Sequence, residues 1–184
     1  MRILVVSDEE CPALWDYYVP GRLKEYDLII SCGDLKASYL SFLVTMGRAP
    51  VLYVPGNHDH DYLKRPPEGC DCIDDQFVVY NGVRILGLGD ADDPAHWGFE
   101  SLIELLDQYH PKYLLHGHVH LRYGFNQSRE RQYHDTTIIN VTERYSFDIP
   151  DRPVSPKQIG QVIYKNRRKY RENSANAEEI YSPF

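Results

Sequence analysis

The chain has 184 residues, 42% hydrophobic and 26% charged, and a formal net charge of −7. A chain of this size buries about 70% of the surface its unfolded form exposes, so it needs no disulfide staples; a stapled miniprotein and, the ends aside, a disordered chain are excluded. With 20 basic against 27 acidic residues, the charge balance argues against a protein that wraps nucleic acid, whereas bound metal ions would still admit a small phosphorylated substrate. No run of about 18 apolar residues is present, and Met1-Arg2-Ile3-Leu4 opens a strand pattern rather than a signal peptide, so a cytoplasmic protein without membrane contact is expected. Cys11, Cys32, Cys70 and Cys72 are read as reduced thiols, because Cys70-Asp71-Cys72 is too close for a zinc knuckle.

In chain order, residues 3–6 read as a buried strand. A poorly formed helical stretch is predicted over residues 13–26, interrupted by Pro20-Gly21, and a second strand over 28–31. Tyr39, Phe42, Leu43 and Met46 recur at i, i+3, i+4 and i+7, which predicts a helix packed on the sheet before a strand at 51–54. Two such crossovers imply parallel neighbouring strands. Residues 76–80 and 83–88 flank Asn81-Gly82, a strong hairpin signal. Phe99, Leu102, Ile103 and Leu106 mark another amphipathic helix, followed by strands at 113–115 and 136–141. From Ser155 the chain turns polar, with Lys165, Arg167, Arg168, Lys169 and Arg171 forming a basic cluster. The pattern predicts an α/β domain over residues 1–154 and a polar, partly basic C-terminal tail over 155–184, solvated or docking an acidic partner.

What ends each strand carries the chemistry. The first strand runs through Ser7 into Asp8 and Glu10, and the second through Cys32-Gly33 into Asp34. The third runs through Pro55-Gly56 into Asn57, His58 and Asp59, and the strand at 113–115 through His116-Gly117 into His118 and His120. Open α/β sheets bind ligands beyond the carboxyl ends of their strands, so these four loops are expected to converge. Singly, a Gly-Asp is an ordinary turn or cap, and Asp8 with Glu10 an ordinary surface pair. Together they mix hard oxygen donors with imidazoles, which suits two divalent ions such as Mn, Fe or Zn better than calcium.

This ordered set resembles the calcineurin-like metallophosphoesterase family, whose motifs run Asp-x-His, Gly-Asp, Gly-Asn-His-Asp/Glu, a lone His after a later strand, and Gly-His-x-His. The resemblance implies layered β-sheets flanked by helices and hydrolysis of a phosphomonoester or phosphodiester. It also implies a dinuclear centre of divalent ions, Mn2+ foremost, with Fe, Zn or Mg as alternatives. Asp34 would bridge both metals, Asp8 and His120 would hold the first, and Asn57 and His118 the second. His58 would lie beside the substrate phosphate, oriented by Asp59. Such a pair of cations acidifies a bridging water, and His58 stabilises the phosphoryl oxygens or protonates the leaving oxygen.

Two departures stand out. Glu10 occupies the place of the family's first His; a carboxylate there still coordinates, and shifts preference toward harder ions such as Mn or Mg. The lone-His segment is also missing: Gly87-Leu88-Gly89 passes straight into Asp90, so the chain is expected to lack one strand and one helix. The second metal then keeps only Asp34, Asn57 and His118, with Asp92, His96 and His116 as candidates to complete it. His96 reads more readily as a loop residue, His116 as a strand residue, and His110 and His134 as surface residues. The rival reading is a metallophosphoesterase-fold protein with an impaired metal site that acts as a binding or scaffold protein.

Overall fold

A computed structural model describes residues 1–89, 98–120 and 128–164. The strands are, in chain order, β1 (Arg2–Ser7), β2 (Leu28–Ser31), β3 (Val51–Tyr53), β4 (Asp71–Cys72), β5 (Phe77–Tyr80) and β6 (Val83–Leu86). They continue with β7 (Tyr113–His116), β8 (Glu130–Tyr133), β9 (Thr136–Asn140), β10 (Glu143–Asp148) and β11 (Val162–Tyr164). Helix α1 (Ala37–Met46) lies between β2 and β3, and α2 (Gly98–Tyr109) precedes β7. The chain divides into two compact units, residues 1–72 with 89–150, and residues 73–88 with those from 151 on.

The first unit holds a five-stranded sheet of order β10-β1-β2-β3-β4 and a three-stranded sheet of order β7-β9-β8. The predicted crossovers put β1, β2 and β3 in parallel, as expected. Ile3, Leu4, Val5 and Val6 are at most 3% exposed; a strand covered on both faces carries an unbroken apolar run instead of an alternation. In α1, Tyr39, Leu40 and Leu43 are fully buried, and Trp15 packs edge-on against Tyr39 and Phe42. In α2, Leu106 is buried and Ile103 exposed.

The helix expected over residues 13–26 is not formed. Two single 3-10 turns stand there, Pro12–Leu14 and Arg22–Glu25. Pro20 lacks an N–H to continue a helix, and Gly21 takes a left-handed φ of 91° that breaks the repeat. Each turn still delivers one core side chain, Leu14 and Leu23. Strand β10 has no counterpart in the sequence reading. It runs antiparallel to β1, and its Tyr145 and Phe147 share one side of the strand, where the Phe147 ring lies 5.0 Å from that of Tyr113 in β7.

In the second unit the expected hairpin is formed by β5 and β6, with Asn81 and Gly82 both left-handed, at φ 44° and 74°, as a two-residue turn of this kind requires. Strand β11 pairs antiparallel with β5, so the first part of the stretch read as a tail supplies a strand. The basic cluster from Lys165 on lies outside the described residues. So do residues 90–97, including Asp92 and His96; residues 87–89, after β6, contain no strand. His110 and His134 are exposed, none of the four cysteines forms a disulfide, and no helix among the described residues is long and apolar enough to cross a membrane.

Candidate functional site

Four loops leave β1, β2, β3 and β7 within the first unit. Asp8, Asp34 and His118 each take a left-handed backbone, at φ 66°, 58° and 67°. Residues with a Cβ adopt it at a cost of about 1–3 kcal/mol, and only where the surroundings hold them there. Close contact between loops does so. A Cβ on Gly33 would stand 2.7 Å from the Gly56 Cα, and one on Gly117 would stand 1.8 Å from the Ser7 Oγ. The glycines ahead of Asp34, Asn57 and His118 are therefore where neighbouring loops touch.

Carboxylates and backbone amides tie the loops together. Asp8 Oδ1 accepts the His118 N–H at 2.7 Å, and its Oδ2 accepts the Ser7 hydroxyl at 2.7 Å. Asp34 Oδ1 accepts the His58 N–H at 2.8 Å. Asp59 is buried, and its Oδ2 accepts the N–H groups of Asp34 at 2.7 Å and Gly56 at 2.9 Å. Burial pushes the Asp59 carboxyl above its ordinary range, a shift opposed by those two N–H donors. Asp59 thus joins the β2 and β3 loops, whereas the exposed His58 ring lies with Nε2 3.3 Å from Asn57 Nδ2.

The structure places the remaining residues as follows. Glu10 Oε1 is 3.2 Å from the Lys36 N and 3.4 Å from its Nζ. His120 Nδ1 is 3.4 Å from Glu9 Oε1. His116 ends β7 with Nδ1 3.0 Å from the Gly117 carbonyl oxygen. Among the described residues, no three His, Cys, Asp or Glu side chains converge as a metal cluster. One donor is nevertheless left over: Asn57 Oδ1 is buried with no hydrogen-bond partner. A buried acceptor without a donor is costly; a cation would satisfy it. A hard amide oxygen in the loop whose His58 N–H donates to Asp34, with carboxylates and imidazoles on neighbouring loops, fits a divalent ion of the Mn or Mg type.

Sequence reading missed the groups that hold these loops. Asn140 Nδ2 donates to the Val119 carbonyl at 2.6 Å, and Asn140 Oδ1 accepts the Thr142 N–H at 3.0 Å. The Thr142 hydroxyl lies 3.1 Å from Asp8 Oδ2 and 3.0 Å from the Val119 oxygen. Tyr62 donates its hydroxyl to the Leu35 carbonyl and packs its ring edge-on against Tyr53. A polar residue closing an apolar strand, as Asn140 does, was the available signal; Tyr62 carried none.

A domain model of the calcineurin-like phosphoesterase superfamily matches residues 1–142. No curated protein matches the chain. Among solved structures, a single mutant of Vps29 from Entamoeba histolytica is similar at 20% identity and TM-score 0.44, over 77% of this chain and 73% of that one. A protein of unknown function from Aquifex aeolicus is similar at 24% identity and TM-score 0.44, over 67% and 81%. A predicted phosphoesterase from Streptococcus pneumoniae TIGR4 is similar at 17% identity and TM-score 0.45, over 89% and 97%.

Proposed function

Because the chain belongs to the calcineurin-like phosphoesterase superfamily, we propose that it hydrolyses a small phosphomonoester or phosphodiester at the ends of β1, β2, β3 and β7, with divalent cations as cofactor. The observation that carries this reading is the buried, unpartnered Asn57 Oδ1, in the loop whose His58 N–H donates to Asp34. Asp34 would bridge two ions; Asp8, Glu10 and His120 would hold one, and Asn57 and His118 the other. Bound ions of this kind supply an acidified water and offset negative charge developing at phosphorus. His58 is exposed and can donate a hydrogen bond or proton to a phosphoryl or leaving oxygen. Asp59 fixes the Asp34 and Gly56 amides, and so keeps the β2 and β3 loops in register. For Glu10 and His120 to turn to an ion, the half-buried Glu10 must give up the Lys36 N–H and ammonium, and His120 its exposed pair with Glu9. The exposed pair is worth about 0–1 kcal/mol and the N–H bond to a charged acceptor about 1.5–3 kcal/mol, both of which coordination must offset.

The test is hydrolysis of chromogenic mono- and diesters with Mn2+, together with the shift in thermal midpoint on adding Mn2+ alone. Activity and a Mn2+-dependent rise in midpoint are expected for the native chain, and both should be lost in Asp34→Asn. Turnover unchanged by Asp34→Asn refutes the site. The second reading, a scaffold with an impaired metal site, is favoured by the lack of a three-residue metal cluster among the described residues. It predicts no turnover in either protein.

A further inference from the structure

The outermost strand of the five-stranded sheet is β10. Met1 and Ile149 exchange both backbone hydrogen bonds, each 2.9 Å, and the register continues with Ile3 opposite Phe147 and Val5 opposite Tyr145. Bonded and non-bonded pairs alternate in an antiparallel ladder. The amides of residues 143, 145 and 147 therefore turn to β1, while those of Arg144, Ser146 and Asp148 turn outward. The Arg144 end is occupied: its carbonyl accepts Arg129 Nη1 at 3.0 Å, and its N–H donates to the Thr142 carbonyl at 3.0 Å. The outward groups of Ser146 and Asp148 have no partner on β1, and all three of these outward-facing residues are exposed. A cleft of about 390 Å³ runs beside this edge, lined by Leu4, Tyr26, Arg129, Arg144, Tyr145 and Ser146. Among the described residues no strand pairs with this side of β10, and an unpaired edge is a template for another strand.

We propose that β10 is a self-association surface, on which a second copy of the chain pairs its own β10 antiparallel about a two-fold axis at Ser146. The strand is self-complementary in that register. Ser146 meets Ser146 and exchanges two backbone hydrogen bonds; Arg144 meets Asp148 of the second copy, and Tyr145 meets Phe147. Ladder bonds form only between outward-facing residues, so the axis falls at one of positions 144 to 148; at 145 or 147 Ser146 faces Arg144 or Asp148 and no opposite charges meet. An axis at 144 opposes two arginines and one at 148 opposes two aspartates, both unfavourable. Arg129, held across the Thr142 and Arg144 carbonyls at 3.0 Å each, keeps the Arg144 carbonyl out of the new ladder, so the backbone bonds of the dimer form at Ser146. The contact is isologous and closes as a dimer, joining two five-stranded sheets into one.

Sedimentation equilibrium of the full chain over a wide concentration range tests this. A reversible monomer–dimer equilibrium is expected, with Arg144→Asp raising Kd by about tenfold or more, because like charges then face each other. Adding Asp148→Arg to that variant should bring Kd back to within about threefold of the native value, since the pair is restored with its polarity reversed. Ser146→Pro removes an outward N–H and leaves the β1 bonds in place, so it should abolish the dimer with the circular dichroism unchanged. A native chain that is monomeric at every concentration overturns the proposal. So does a dimer indifferent to Arg144→Asp, or a folded double variant as weak as the single one.

Discussion

Gly117→Ala tests whether the His118 loop is held by direct contact with the end of β1. The new Cβ would stand 1.8 Å from Ser7 Oγ, 2.9 Å from Asp8 Oδ2 and 3.0 Å from Ser7 Cβ. Ordinary carbon contacts lie at about 3.5–4.0 Å, so the hydroxyl must leave its place. Ser7 is 0% exposed, and any rotation breaks its 2.7 Å bond to Asp8 Oδ2. Overpacking costs about 1–3 kcal/mol, and a lost hydrogen bond to a charged acceptor about 1.5–3 kcal/mol. A destabilisation of about 3–5 kcal/mol is expected, a large share of a domain's usual 5–15 kcal/mol. Ser7→Ala alone loses only the hydrogen bond, at about 1.5–3 kcal/mol. In the double variant the closest clashing oxygen is gone, so Gly117→Ala should then add no more than about 1–2 kcal/mol, the residual contacts with Asp8 Oδ2 and the residue 7 Cβ. Urea unfolding followed by the fluorescence of Trp15, which packs in the core, measures all four corners of this cycle. Costs that add to within about 0.5 kcal/mol would show the two sites to be independent and refute the reasoning.

Gly33→Ala forces a Cβ onto a φ of 91° and to 2.7 Å from the Gly56 Cα, which is backbone and cannot rotate away; a loss above about 3 kcal/mol is expected in the same unfolding assay. Asp59→Ala strips the acceptor from the Asp34 and Gly56 N–H groups and should cost about 2–4 kcal/mol, while Asp59→Asn, which retains an acceptor oxygen, should cost less than half of that. Equal losses in the two variants would show that the bonds are not what matters. Tyr62→Phe keeps the ring on Tyr53 but removes the bond to the Leu35 carbonyl; a loss of about 1 kcal/mol in unfolding free energy is expected. Burial pushes the Cys70 thiol up to about 12 from an ordinary value of 9.0, with the Asp71 charge acting in the same sense. The folded chain then holds that proton where the unfolded chain has released it, so stability is fully present below pH 9 and declines as pH rises toward 12. The decline should be shallower in Cys70→Ala, and equal slopes would contradict the assignment.

The parallel core was legible because its strands carry unbroken apolar runs, and such runs mark burial on both faces wherever they occur. Asn81-Gly82 likewise announced its hairpin, since only a left-handed pair makes that turn. The order of Asp8, Asp34, Asn57 and His118 at the strand ends was readable for the same local reason: each follows its apolar run directly. Strand β8, Glu-Arg-Gln-Tyr, has no apolar period at all; its pairing depends on β9 being available beside it, which no local pattern records. The helix expected at residues 13–26 failed because Pro20 and the left-handed Gly21 break it, and two short turns deliver Leu14 and Leu23 to the core instead. Tertiary structure alone decided how the candidate ligands are engaged. Asp59 ties two backbone loops, Glu10 meets Lys36, and His120 meets Glu9. Residue type and spacing fix which donors stand at a strand end. The direction a carboxylate turns depends on the nearest N–H or cation, and that is set by loops far apart in sequence.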